Sequence, residues 1–330
     1  MIFLAGDIGG TKTRLAVAEI QGTQVRVAHE VAFPSRDYAT FERLLEEFLS
    51  GIADVPLHAG IGIAGPVNGR AVQTTNLPWS IDADALQQRF GFAHCTLLND
   101  LEAVAHGLAA LEQHDFSTLQ PGAADACGNA AVIAAGTGLG EAGLYWDGQR
   151  HHPFSSEGGH ASFSPANELD MALLDYLHQR YRHVSWERVV SGTGLPVLHE
   201  FLRIHHHVAA PDWLDGQMRG GDAAAAIADA ALTGRDEICV EALEWFVRLY
   251  GAEAGNLALK TMSRGGLYLG GGIAPKILPL LQNGTFMEAF LDKGRMRPLL
   301  EAMPVRVILN ERGALYGAAL RAAQLAGGMA

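Results

Sequence analysis

Apolar runs at the start of the chain are punctuated by glycine turns. Ile2 to Ala5 is apolar, Gly6-Asp7-Ile8-Gly9-Gly10-Thr11-Lys12-Thr13 interrupts it, and Arg14-Leu15-Ala16-Val17-Ala18 resumes with β-favouring residues. A turn at Gly22 and a third run from Gln24 to Ala32 follow. Strand, glycine turn, strand, turn, strand predicts a β-meander with its first glycines at a hairpin tip. The pattern returns at Ala130 to Asp147, where an apolar strand, the turn Gly136-Thr137-Gly138-Leu139-Gly140 and a second strand follow in order. Such self-similarity predicts two related halves, each offering a glycine hairpin to one ligand.

Between and after these meanders the periodicity changes. An apolar strand ends at Asn99-Asp100, and a helix is expected from Leu101 to about Leu111. Gln113 to Asn129, rich in Pro, Gly and Ala, reads as a loop. Asp222–Leu232 and Ala242–Leu259 have helical spacing and read as packing helices. A third glycine cluster, Gly270-Gly271-Gly272, follows strand-like Gly266-Leu267-Tyr268 and precedes a helix expected from about Lys276. Val305–Leu309 reads as a strand and Glu311–Leu325 as a helix with an Ala and Leu face. The expected division is a small α/β domain at 1–110 plus 301–330 and a large one at 111–300.

The opening glycines point to phosphate, but to neither common loop. Thr11 rather than glycine precedes Lys12, so the Walker A pattern fails, and Gly6, Gly9 and Gly10 miss the Rossmann spacing. At a hairpin tip, the N–H groups of Gly9, Gly10 and Thr11 can surround phosphate oxygens, with Asp7 placed to hold Mg²⁺ or its waters. An ordinary turn using glycine for positive φ is the plain alternative. For the third cluster the choice lies between a flat ligand and close strand–helix packing.

Composition narrows the class. The chain of 330 residues has 48% hydrophobic residues, enough for one large or two medium cores. A formal charge of −12 is the wrong sign for holding a nucleic-acid backbone. Cys95, Cys127 and Cys239 are too scattered for a disulfide framework or a zinc cluster, which favours a reducing cytoplasm. No secretory leader or membrane-length apolar run is read, so a cytoplasmic protein without a membrane partner is expected.

The stretches DIGGTKTRLAV, LLNDLEAVAHG, AAGTGLGEAGL, SSEGGHASF and LGGGIAP stand in this order between about Leu4 and Leu325. In that order and extent the chain resembles the bacterial ATP-dependent glucokinases of the actin, hexokinase and Hsp70-type ATPase superfamily. The resemblance implies a duplicated RNase H-like α/β fold, with sugar and ATP meeting in a cleft between the domains. It assigns the nucleotide to Asp7, Gly9, Gly10, Thr11, Lys12, Gly136, Thr137, Gly138, Gly271 and Gly272. ROK-type sugar kinases and repressors carry a cysteine-rich zinc motif after the sugar-binding histidine. Here no cysteine follows His160 until Cys239, so the zinc-free group is the nearer match. A homodimer is usual in that family and is expected here.

Phosphoryl transfer to a hydroxyl needs a base, Mg²⁺ on the phosphates and donors that hold them in line. Asp100, at a strand end, is the candidate base, although aspartate there is also a favoured helix cap. By resemblance Asp100 takes the proton from the sugar 6-hydroxyl, Asn99 binds sugar hydroxyls, and Glu157, His160 and Glu187 complete the glucose set. Taken alone, each of these last three reads as readily as a solvated polar residue, Glu187 most of all. Thr75-Asn76-Leu77-Pro78-Trp79 falls in the sugar region by the same match, with Trp79 also readable as core. His205-His206-His207 reads as an exposed helix end rather than a metal tract. Opposing readings are a kinase for another hexose or N-acetylated sugar, a sugar-sensing repressor, and a chaperone-type ATPase. The repressor needs a DNA-binding extension and the chaperone a peptide-binding domain, neither of which is read in this sequence.

Overall fold

The computed structural model describes residues 1–65, 67–74 and 76–327. The chain divides into two compact units, one comprising 1–115, 152–155 and 310–330, the other 116–151 and 156–309.

The first unit begins with the expected meander, β1 (Ile2–Ile8), β2 (Lys12–Gln21) and β3 (Gln24–Pro34). Then come α1 (Phe41–Ser50), β4 (His58–Ile63), the short pair β5 (Ala71–Gln73) and β6 (Ser80–Asp82), α2 (Ala83–Phe90), β7 (His94–Asn99) and α3 (Asp100–Gly107). The strands lie in the order β3-β2-β1-β4-β7, antiparallel through the meander and parallel from β1 to β7. Helix α1 is capped by the Thr40 side chain and buries Phe41, Leu44, Leu45 and Phe48, one face at helical spacing.

The second unit repeats that plan. Its sheet contains β8 (Phe116–Gln120), β9 (Ala130–Ala135), β10 (Leu139–Trp146) and β11 (His151–Ser156), although 152–155 of β11 group with the first unit. The helices α4 (Glu168–His178), α5 (Gly194–His205), α6 (Asp212–Gly220), α7 (Ala223–Leu232) and α8 (Glu237–Thr261) follow. Then come β12 (Gly266–Gly270), α9 (Leu278–Leu281), α10 (Thr285–Leu291), α11 (Arg297–Glu301) and β13 (Val305–Ile308). The sheet order β11-β10-β9-β12-β13-β8 matches β3-β2-β1-β4-β7 strand for strand, with β8 added at the far edge. Every residue of β9 is buried, as expected for a central strand covered on both faces. Two equivalent sheets built from one meander-plus-parallel plan are the duplicated actin-like architecture.

The last helix, α12 (Gly313–Leu325), belongs to the first unit and packs on α3, β1 and β4. Glycine makes this possible. A Cβ on Gly317 would overlap the Ala103 carbonyl, and one on Gly107 the Gly313 carbonyl. Backbone-to-backbone packing thus fixes α3 against the sheet and with it the Asp100 end of that helix.

Several local expectations differ from the structure. The loop read at Gln113–Asn129 contains β8, an edge strand paired antiparallel with β13. Phe116-Ser117-Thr118-Leu119-Gln120 is short, mostly polar and does not alternate, so nothing in it reads as a strand against the surrounding Pro and Gly. Strand β13 lies in the second sheet, and the second unit extends to Leu309 rather than ending near 300. The helix expected from Lys276 starts at Leu278, with Pro279 in its first turn, and has 4 residues, Gly284 at φ 106° following soon after its end. Helix α3 ends at Gly107, and a 3-10 turn at Leu108–Ala110 completes it.

Candidate functional site

In the first unit the β1–β2 hairpin carries the first glycine loop. Gly9 N–H closes the turn on the Lys12 carbonyl at 3.0 Å, so Gly10 and Thr11 form its apex. Ser35 braces the loop from below: its hydroxyl donates to the Gly9 carbonyl at 2.8 Å and its N–H to the Thr11 carbonyl at 3.0 Å. Thr13 joins through a hydroxyl contact to Ser35 of 2.9 Å. A Cβ at Gly10 would come within 2.9 Å of Asn76 Cβ, so the sequence needs glycine there. Thr75 lies outside the described residues. Trp79 is core, with its indole N–H donating to the Tyr38 carbonyl at 3.0 Å. Lys12, at the start of β2, is exposed.

Asp7 and Asp100 converge at the carboxyl ends of β1 and β7. Burial pushes the Asp7 carboxyl up to about 6, the negative charge of Asp100 adds to the rise, and Arg14 opposes it. Arg14 is itself held by Glu311 at 2.6 Å. Asn99 proves to be the cap of α3: its Oδ1 accepts from Leu101 N–H at 3.0 Å and Glu102 N–H at 3.4 Å. Its Nδ2 donates to the Gly65 carbonyl at 3.2 Å. The cap role that the sequence left open for Asp100 thus falls mainly to its neighbour. Asp100 sits at the first helical position, accepting from Leu101 N–H at 2.9 Å, with its charge at the positive end of the helix.

In the second unit Gly136 N–H donates to Gly138 O at 2.8 Å, and the Gly136 carbonyl accepts from Gly192 N–H at 2.7 Å. The third glycine cluster packs against this hairpin: Ile273 N–H donates to the Ala135 carbonyl at 3.3 Å, and a Cβ on Gly271 would overlap that same carbonyl. Gly272 faces open space. So Gly136, Thr137, Gly138, Gly271 and Gly272 form one glycine surface.

Glu157, His160 and Glu187 come together. His160 Nδ1 lies 3.6 Å from Glu157, and Nε2 lies 3.8 Å from Glu187 Oε1. Glu187, the residue the sequence supported least, joins both parts of the unit. Its Oε2 accepts from Leu139 N–H at 3.0 Å at the glycine hairpin, while Oε1 faces His160. A Cβ on Gly138 would overlap that carboxylate, which explains the glycine. Glu187 lies on a 3-10 turn, Trp186–Arg188, held by Trp186 packed against Phe163. No local pattern marks that acid; only tertiary packing does. The bracing roles of Ser35 and Arg14 were likewise missed by sequence reasoning, and Asn76, read with the sugar region, lies against Gly10.

Two other titratable groups are held by ion pairs and hydrogen bonds of their own. His199, Asp236 and Cys239 lie within 4.8 Å of one another. Arg203 occupies that cluster, donating to His199 Nε2 at 3.1 Å and to Asp236 at 2.6 Å. His206 of the histidine tract pairs with Glu241 at 3.0 Å. Among the described residues no helix is long and apolar enough to cross a membrane.

Residues 4–325 match the family model described as Glucokinase. The glucokinase of Nostoc punctiforme is 43% identical over 98% of this chain and 99% of its own. The crystal structure of a glucokinase from an Antarctic psychrotroph superposes with a TM-score of 0.86 at 32% identity, covering 98% of this chain and 99% of the other. A ROK-family glucokinase from Streptomyces griseus, solved with glucose and AMPPNP, shares the fold at a TM-score of 0.65 and 24% identity, covering 98% of this chain and 100% of its own. The chain belongs to the glucokinase family.

Proposed function

We propose a division of labour by which this glucokinase-family chain phosphorylates glucose with ATP. Glu157, His160 and Glu187 hold glucose hydroxyls, Asn99 adds a contact from its remaining amide hydrogen, and Asp100 accepts the proton of the 6-hydroxyl. The convergence of Glu157, His160 and Glu187 around one imidazole carries the reading, because Glu187, on a separate 3-10 turn later in the chain, is brought to the side of the His160 ring opposite Glu157. Carboxylates facing sugar hydroxyls make charge-assisted hydrogen bonds, which discriminate between epimers. Gly10, Thr11, Lys12, Gly136, Thr137, Gly138, Gly271 and Gly272 take ATP, Gly9 closing the first turn.

Mg²⁺ fits Asp7. A buried carboxylate beside a second one, Asp100, is a donor set that a divalent cation relieves. When bound, the ion supplies positive charge at the ATP phosphates. The residues then do the rest: Asp100 removes a proton, the glucose ligands orient the attacking oxygen, and the hairpins hold the phosphates in line. We further propose a homodimeric, cytoplasmic enzyme of glycolysis. Coupled ADP-release assays across glucose, its epimers and N-acetylated hexoses test the reading. Glucose should give the highest kcat/KM, and a clear preference for an N-acetylated sugar would overturn it.

A further inference from the structure

Directly behind the Glu157–His160 loop lies a second acidic pair that the reaction does not use. Glu141 points from β10 and Glu253 from α8, both fully buried, at 2% and 0% exposure. A Cβ on Gly158 would overlap Glu141 Oε2 and approach Ser156 Oγ at 3.1 Å, so the Glu141 carboxyl lies against the loop backbone between Glu157 and Gly159. Ser156 Oγ also accepts from Gly158 N–H at 3.0 Å.

The donors around the pair are unevenly shared. Glu253 Oε2 accepts from Asn256 at 2.8 Å, and its Oε1 from Lys260 at 3.2 Å. Glu141 Oε1 is buried with no hydrogen-bond partner. An unpaired oxygen of a neutral acid costs far less to bury than one of a carboxylate. Geometry therefore puts the negative charge on Glu253 and a proton on Glu141. We propose that Glu141, kept as a neutral acid against Glu253, is a positioning residue that fixes Gly158 and thereby sets Glu157 and His160 for the sugar.

The surroundings agree. Burial, with Glu253's charge beside it, pushes the Glu141 carboxyl up to about 8, Lys260 opposing. The Glu253 carboxyl is also raised by burial, offset by Asn256 and Lys260. Lys293, near Gly255 on the far side of α8, is lowered by burial, while Asp292 and Glu253 support its charge. Tyr250 feels Glu141 too, but its hydroxyl is engaged by the Ile133 carbonyl at 3.1 Å. Above about pH 8, Glu141 ionises against Glu253, and the two charges repel at the back of the sugar loop.

This inference rests on the sugar assignment of that loop, and kinetics separate the two. For the wild type, glucose KM should rise about tenfold between about pH 7 and pH 9, while ATP KM does not follow. Glu141→Gln, neutral at every pH, should remove that rise. Glu253→Gln removes the like charge, and with it the repulsion, so it should shrink the rise. A protonated-carboxyl infrared band present in the wild type and lost in Glu141→Gln would report the proton without reference to activity. A flat wild-type profile, an unchanged rise in Glu141→Gln, or an undiminished rise in Glu253→Gln overturns the inference. If Glu157→Gln leaves glucose KM untouched, the sugar assignment itself has failed. If Glu157→Gln raises it and Glu141→Gln keeps the alkaline rise, only Glu141's role has failed.

Discussion

Asp100 combines two properties that rarely coincide on a plain helix cap. It follows the strand end directly, and its charge is felt by a buried neighbour, Asp7. Asn99 already supplies the capping oxygen, so Asp100→Asn should leave α3 folded. Loss of a general base typically lowers rates by about 10²–10⁴-fold. Glucose phosphorylation by Asp100→Asn should fall within that range while its melting curve stays near wild type, and turnover within about tenfold of wild type would remove Asp100 from the base role. Glu157→Gln addresses binding instead. It keeps the shape and loses the charge facing His160, and a hydrogen bond to a charged group contributes roughly 1.5–3 kcal/mol. Glucose KM should rise about tenfold to a hundredfold, with ATP KM unmoved, in steady-state kinetics with each substrate varied in turn. A shift in the ATP constant alone would reassign Glu157 to the nucleotide.

At the scale of elements, the base is placed by helix packing rather than by anything near it. Gly317 lets α12 lie on α3 with backbone touching backbone, and a methyl group there would meet the Ala103 carbonyl. Gly317→Ala should therefore destabilise the protein by about 1–3 kcal/mol, as overpacking does, read as a lower denaturant midpoint. It should also lower kcat by shifting Asp100, so unchanged stability would mean the two helices separate more easily than the geometry allows. This kind of contact explains what the sequence could and could not tell. The two glycine hairpins were legible because strand, glycine turn and strand are local signals, and β7, β12 and β13 were legible as apolar runs of their own, whereas β4 was not read. Strand β8 was not, since Phe116–Gln120 gains its pairing only from β13, far along the chain. The glycine loops were visible as composition, whereas the reason for each glycine was not: Gly138 makes room for Glu187, and Gly158 for Glu141. Glu187 and the Glu141–Glu253 pair owe their surroundings to tertiary packing, which no spacing rule encodes.

Across the whole molecule, the buried titratable groups set how stability follows pH. Burial pulls His106 and His199 down to about 4. Both are neutral in the folded and unfolded chain above about pH 6.5, so their contribution is complete there and is lost only on acidification. Asp7, pushed up to about 6, has its effect at lower pH as well. The buried thiols of Cys95 and Cys239, pushed up to about 12, begin to matter only where an unfolded thiol ionises, above about pH 8.5. Glu141, coupled to Glu253 and pushed up to about 8, is a buried group whose proton is lost at neutral to alkaline pH. Its folded carboxyl is raised above the ordinary 4.5, so the unfolded chain has lost a proton that the folded chain keeps. Stability contributed by that proton is full below the ordinary value and is lost as pH rises to about 8, by up to about 1.4 kcal/mol per pH unit. Urea unfolding of the wild type should thus show a free energy that declines from about pH 7 to 8 and then levels off. Glu141→Gln, with no proton to lose, should have a flat profile over that range and should exceed the wild type at the alkaline end. A wild-type curve already flat between about pH 7 and 8 would mean that Glu141 is ionised in the folded protein and that Lys260 and Lys293, not a proton, balance the pair.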